Sequence, residues 1–242
     1  MRDMVASVKA AQRRFEEHGV PELTEEFAYI LSKFGAPKGV SPAPPAQLGA
    51  YSGHLPKALL DVWALHGQGL MLDGKFQFCN PARLESNSKT IFGNDPQVPA
   101  SRCHIIGYSA FGTLLVWSED HADIRVDLLD GTASSLSLTG RSQKLAPDVA
   151  VSLPLFQLGD EVFDAFDEEG KPLFARALEK LGPLAPGEMY GFVPMLALGG
   201  RRKLENLEIV SALEHMAILA QARQIKLIDT STMAMRVVRV LG

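Results

Sequence analysis

Asp130-Gly131 separates two runs of alternating residues, and that arrangement leaves few choices of fold. Upstream, DIRVDLL puts Ile124, Val126 and Leu128 on one side and Arg125 and Asp127 on the other. Downstream comes TASSLSL. A period of two is the signature of a strand, and Asp-Gly tolerates the positive φ that a tight hairpin turn demands. Two short apolar runs, CHIIGYSAF and TLLVWS, precede this pair and are divided by Gly112. Residues 102–138 are therefore expected to form an antiparallel meander.

Helices that could cover such a sheet precede it. In LPKALLDVWALHG, Pro56 sits where a first helical residue belongs and Gly67 where a C′ glycine belongs. Leu55, Leu59, Val62, Trp63 and His66 fall on one face. Further upstream, Thr24 is a cap for a helix with Glu25 and Glu26 in its first turn. That helix presents Phe27, Ile30, Leu31 and Phe34 and stops at Gly35. GAPKGVSPAPPAQ reads as an extended connector. The first 18 residues are helix-compatible with weak periodicity.

The polar stretch TGRSQKLAPD marks a boundary, which gives two domains, 1–145 and 146–242. The second is expected to hold a helical VAVSLPLFQL with a proline-induced start or kink. A helix in KPLFARALEKLG follows, between Pro172 and Gly182. A long helix over 204–222 would place Leu204, Leu207, Val210, Leu213, Ala217 and Ala220 on one face. QIKLIDT and MRVVRV are closing strands. GPLAPGEMYGFVPMLALGG reads as a helix stop, a Pro-rich turn and a buried strand, FVPMLAL, which Pro194 makes an edge or irregular one. The fold class is α+β: an antiparallel sheet meander packed on helices, followed by a smaller, mainly helical α+β domain.

Composition narrows the function. With 46% hydrophobic and 21% charged residues over 242 positions, the chain has the profile of a globular protein with a substantial core. A net charge of −4 argues against a dedicated nucleic-acid binder and permits a basic partner. Two cysteines, Cys79 and Cys103, are too few for a disulfide framework and fit a reducing compartment. The N-terminus lacks the apolar core of a signal peptide, and no apolar run reaches the ~20 residues of a spanning helix. The expected location is cytoplasmic, with no membrane partner.

The chain carries few motifs of catalysis or ligand binding. No Gly-Lys-Ser/Thr follows Gly107 and Gly112, and no G-x-G-x-x-G opens a helix after a strand. Gly199, Gly200, Arg201 and Arg202 form either an anion grip at a helix start or a turn with solvated arginines. Cys79, Cys103, His104 and His121 match no zinc spacing, and Cys103 and His104 point to opposite faces of a strand. Ser109 has no partner base tied to it by sequence, and His66 reads as a core histidine or one held near a helix C-terminus. No catalytic residue, cofactor or metal site is assigned.

One segment stands out electrically. GDEVFDAFDEEGK carries Asp160, Glu161, Asp164, Asp167, Glu168 and Glu169, with Phe163 and Phe166 interleaved. It is either a solvated acidic loop before a helix or a docking surface for a basic partner with aromatic anchors.

Two blocks carry a resemblance. EEGKPLFARALEKLGPLAPGEMYGFVPMLALGG, continuing into LENLEIVSALEHMAILAQ, closely resembles the C-terminal domain of a bacterial family of type VI secretion immunity proteins. Upstream, FGAPKGVSPAPPAQLGAYSGHLPKALLDVWALHGQGLMLDGKFQFCNP with YSAFGTLLVW resembles the GAD-like domain that precedes it in that family. The LP…LL…W…G pattern also resembles the wider SUKH-type immunity superfamily, less specifically. The resemblance implies a non-enzymatic protein that binds a cognate toxin, a DNase effector, and blocks it. The matching motifs are mostly apolar, Gly and Pro, so they read as fold-determining. The six acids above are then the candidate partner-binding residues. Two alternatives stay open: an RNA- or tRNA-associated module, from the likeness of GAD domains to a domain in tRNA-dependent enzymes, and an enzyme that reverses a toxin's modification.

Overall fold

The structure, a computed structural model, describes residues 19–93, 95–141, 145–231 and 235–242. The helical reading of the first 18 residues lies outside them. The fold is α+β, as expected.

The elements begin where their capping chemistry puts them. Helix α1 (Glu25–Phe34) starts where the Thr24 hydroxyl accepts the Phe27 N–H at 3.4 Å, and it ends at Gly35, at φ 82°. The Pro-rich connector, expected as loop, holds a short edge strand β1 (Lys38–Ser41) and helix α2 (Pro45–Tyr51). Helix α3 (Lys57–His66) follows Pro56 and stops at Gly67. Strands β2 (Gln68–Met71) and β3 (Phe76–Phe78) lead to helix α4 (Glu85–Phe92).

The expected meander follows: β4 (Cys103–Ser109), β5 (Thr113–Ser118), β6 (Ala122–Asp127) and β7 (Thr132–Ser134), with consecutive strands antiparallel. Then come α5 (Pro147–Ser152), α6 (Phe174–Leu181), β8 (Glu188–Phe192), β9 (Leu207–Ser211), α7 (Ala212–Ala222), β10 (Lys226–Asp229) and β11 (Arg236–Val240).

Nine strands form one sheet in the order β1-β2-β3-β4-β5-β6-β7-β10-β11. Among the described residues, only the β7–β10 pairing of this sheet is parallel. The last two strands of the chain thus extend the sheet begun by β1. Strands β8 and β9 form a separate hairpin.

The sheet has apolar cover on both faces. Strand β5 shows this most clearly, being buried along its whole length. Leu114 and Val116 face one core, with Ile91, Phe92, Ala177, Tyr190, Met216 and Leu219. Leu115 and Trp117 face the other, with Phe27, Leu59, Trp63, Val151, Leu155 and Phe163. Each buried Val, Leu, Ile, Phe or Met side chain among them contributes about 1.5–3 kcal/mol.

Two further expectations need correction. The single helix over 204–222 is a turn of 3-10 helix (Leu204–Asn206), then β9, then α7. FVPMLAL is not a strand: β8 ends at Phe192, and the rest is loop with a 3-10 turn at Leu196–Leu198. Pro194 has no N–H to continue a ladder. Gly200 donates to the Met195 carbonyl, and a Cβ there would lie 1.8 Å from the Pro194 oxygen, so the second glycine allows the backbone to fold against itself.

Candidate functional site

The acidic segment lies between α5 and α6, and its six carboxylates are not alike. Asp164 is a helix cap. Its Oδ1 accepts the N–H groups of Leu173 (3.2 Å) and Phe174 (2.9 Å) at the start of α6. Asp167 Oδ1 accepts the Glu169 and Lys171 amides, both at 2.9 Å, while Oδ2 meets Arg176 Nη1 at 2.5 Å. The Arg176 hydrogen bond holds its carboxyl below the usual carboxylate range. Glu168 forms a two-nitrogen pair with Arg201 at 2.8 and 2.5 Å, which likewise lowers it. Glu169 pairs with Lys171 at 2.6 Å.

Asp160 and Glu161 remain exposed, and neither carboxylate has an ion pair among the described residues. Lys75 Nζ binds the Asp160 carbonyl at 2.9 Å. Against six acids stand Lys171, Arg176 and Arg201, so half of the local charge is compensated. Phe163 cannot be a surface anchor: it is fully buried under Phe76 and Arg125.

The remaining sequence candidates resolve into structural roles. Gly199, at φ 87°, and Gly200 make a turn, and Arg201 and Arg202 beside it pair with Glu168 and Asp130, so their charges are met by carboxylates and not held for an anion. Ser109 is buried, and its hydroxyl accepts the Phe111 and Thr113 amides at 3.3 and 3.0 Å. Burial pushes the thiols of Cys79 and Cys103 up to about 12, which removes their thiolate character. His121 is held by Ser137 and the Gln97 carbonyl.

A cluster that sequence spacing did not reveal sits where β4 begins and β5 ends. Strand pairing sets Cys103 opposite Ser118 and His104 opposite Trp117, so Glu119 follows immediately beside them. Glu119 Oε1 lies 2.9 Å from His104 Nε2 and 3.0 Å from His54 Nδ1. Its other oxygen meets Arg102 Nη1 at 3.2 Å, and Arg102 also binds Asp120 through two nitrogens at 2.7 Å each. Burial would raise the Glu119 carboxyl, but its bonds to His104 and His54 outweigh this and hold it low. Two clefts flank Glu119. The larger, about 530 Å3, has Asp123 and Arg141 among its polar lining and Leu136, Leu145 and Leu153 as exposed apolar lining. The other contains His54 and Asp148.

No helix among the described residues is long and apolar enough to cross a membrane.

The chain matches two families in order. Residues 25–130 match the GAD-like domain. Residues 154–223 match the family described as T6SS immunity protein Tdi1, C-terminal. A crystal structure of Atu4351 from Agrobacterium tumefaciens is similar throughout, with 33% sequence identity and a TM-score of 0.85. The match covers 90% of this chain and 97% of that one. No curated protein matches.

Proposed function

This chain belongs to the family of type VI secretion immunity proteins in which a GAD-like domain precedes a Tdi1 C-terminal domain, and we propose that it neutralises a cognate DNase effector by forming a stoichiometric complex with it in the cytoplasm. In this reading it is a binding protein and not an enzyme. The GAD-like domain then covers 1–145 and the immunity domain 146–242, the latter lending β10 and β11 to the sheet of the former. The observation that carries the reading is the family membership itself, which spans both parts of the chain.

Physical chemistry supplies the mechanism. A DNase must present a basic surface to the phosphate backbone. A protein of net charge −4 is drawn to such a surface and, once bound, keeps DNA from it. Nuclease–immunity pairs reach Kd values on the order of 10⁻¹⁴ M. The proposed contact surface is the 160–169 segment. Asp160 and Glu161 supply its unpaired charge, Glu168 and Glu169 flank it, and Asp164 and Asp167 hold its shape.

The test is association kinetics at low salt with the purified effector. Asp160→Lys with Glu161→Lys should slow association about tenfold or more and weaken protection of cells that express the toxin. Protection and association equal to the unaltered protein would rule out this surface.

A further inference from the structure

We propose that His54 Nδ1, His104 Nε2 and Glu119 Oε1 form a binding site for a zinc-class divalent transition-metal ion, with a coordination position left open to the adjoining cleft. The three ligand atoms all lie within 4.8 Å of one another. They come from three places in the chain: the turn before α3, strand β4 and the residue after β5.

The donor set suits zinc. Two imidazole nitrogens and one carboxylate oxygen form an established combination for a four-coordinate ion whose fourth ligand is water or a partner group. Tetrahedral bonds of about 2.0–2.1 Å set ligand atoms about 3.3 Å apart. The two nitrogens already lie 2.9 and 3.0 Å from Oε1, so each of these two gaps needs to widen by only a few tenths of an ångström, and the nitrogens themselves are within 4.8 Å of each other. The His54 turn can supply it, because the His54 side chain is 52% exposed and follows Gly53, at φ 83°.

The surroundings orient the ligands. Arg102 occupies Glu119 Oε2, which leaves Oε1 as a single-oxygen ligand. Tyr51 packs edge-on against the His104 ring, with centroids 5.8 Å apart. Such outer contacts fix ring and carboxylate direction in metal sites. Charge is also suitable: Arg102 balances one of Glu119 and Asp120, which leaves one net negative charge for a dication. Occupancy would tie the turn before α3 to the end of the β4–β5 hairpin.

The experiment uses the full chain, stripped with a chelator and titrated with zinc chloride by calorimetry. One equivalent per chain is expected. His104→Ala or Glu119→Gln should lower the affinity about tenfold or more, and His121→Ala should not. His54→Ala removes an exposed ligand and leaves the core intact, so it reports on the site even if the other variants unfold. Cobalt should give tetrahedral visible absorption that His54→Ala loses. No uptake, or uptake unchanged in His54→Ala, would overturn the proposal and leave a metal-free His–carboxylate network.

Discussion

Arg239 of β11 grips buried Asp95, 144 residues earlier in the chain, through both terminal guanidinium nitrogens, Nη1 and Nη2. The second contact is 3.0 Å. Asp95 is 3% exposed and also accepts the amides of Gln97 (2.9 Å) and Val98 (3.0 Å). Burial would raise its carboxyl, but the Arg239 bond and these amides hold it below the ordinary range. The pair fastens the edge strand to the loop after α4, so the sheet's last strand is secured by more than its ladder with β10.

Arg239→Ala should therefore cost about 2–3 kcal/mol, because it leaves a buried carboxylate short of its charged partner. Asp95→Asn should cost less, since the amide oxygen of the new side chain would still accept the two backbone N–H groups. Urea unfolding of both variants checks the ranking. Equal costs would mean that a buried carboxylate without its charged partner carries no penalty beyond loss of the pair.

Asp164 separates charge from shape in the acidic segment. Asp164→Ala removes the acceptor at the start of α6 and should cost about 1–2 kcal/mol. Asp164→Asn keeps an acceptor and should lie within about 0.5 kcal/mol of the unaltered protein. Thermal unfolding distinguishes the two. A large loss in Asp164→Asn would show that its charge matters more than its capping bonds.

His215 predicts a pH dependence. It is 6% exposed in α7, and its Nε2 has no hydrogen-bond partner among the described residues. Burial holds its pKa below the ordinary 6.5. The folded state keeps the ring neutral while the unfolded chain takes up a proton, so the unfolded state binds more protons in that window. Stability from this residue is complete above about pH 6.5 and declines as pH falls toward the lowered folded value. His215→Leu should flatten this part of the profile, measured as urea midpoints at about pH 7.5 and 5.5 against the unaltered chain. A pH dependence identical in the two proteins would refute it.

Gly191 faces the same histidine. A Cβ there would lie 2.7 Å from Val210 Cγ2 and 2.8 Å from His215 Cε1. Gly191→Ala should cost about 1–3 kcal/mol through overpacking of the β8–β9 hairpin on α7. Gly191→Ala combined with His215→Ala should recover part of that loss. The double variant's denaturation midpoint checks it, and a strictly additive result would contradict the contact.

The elements that could be read from the sequence were those specified by local chemistry. Alternation around Asp130-Gly131 marked β6 and β7, and Thr24 and Gly35 bounded α1. Strand β9 was hidden because Leu204, Leu207 and Val210 also fit helical spacing. Its pairing of Val210 with Met189 and Ile209 with Tyr190 depends on β8, about 20 residues away. The parallel pairing of β7 with β10 spans some 90 residues and has no local signal. At the sites the same limit held. The six acids were visible, but Arg176 and Arg201, which compensate two of them, lie 9 and 33 residues away. His54 and Glu119 are 65 residues apart, and only the β4–β5 register brings Glu119 to His104.

The central claim is stoichiometric neutralisation, and titration of the purified cognate effector's DNase activity tests it most directly. With the effector well above Kd, activity should fall in a straight line and reach its floor at one immunity protein per toxin. Inhibition completed by a small fraction of an equivalent, growing with time, would instead show turnover, and undiminished activity at excess protein would contradict neutralisation of that toxin.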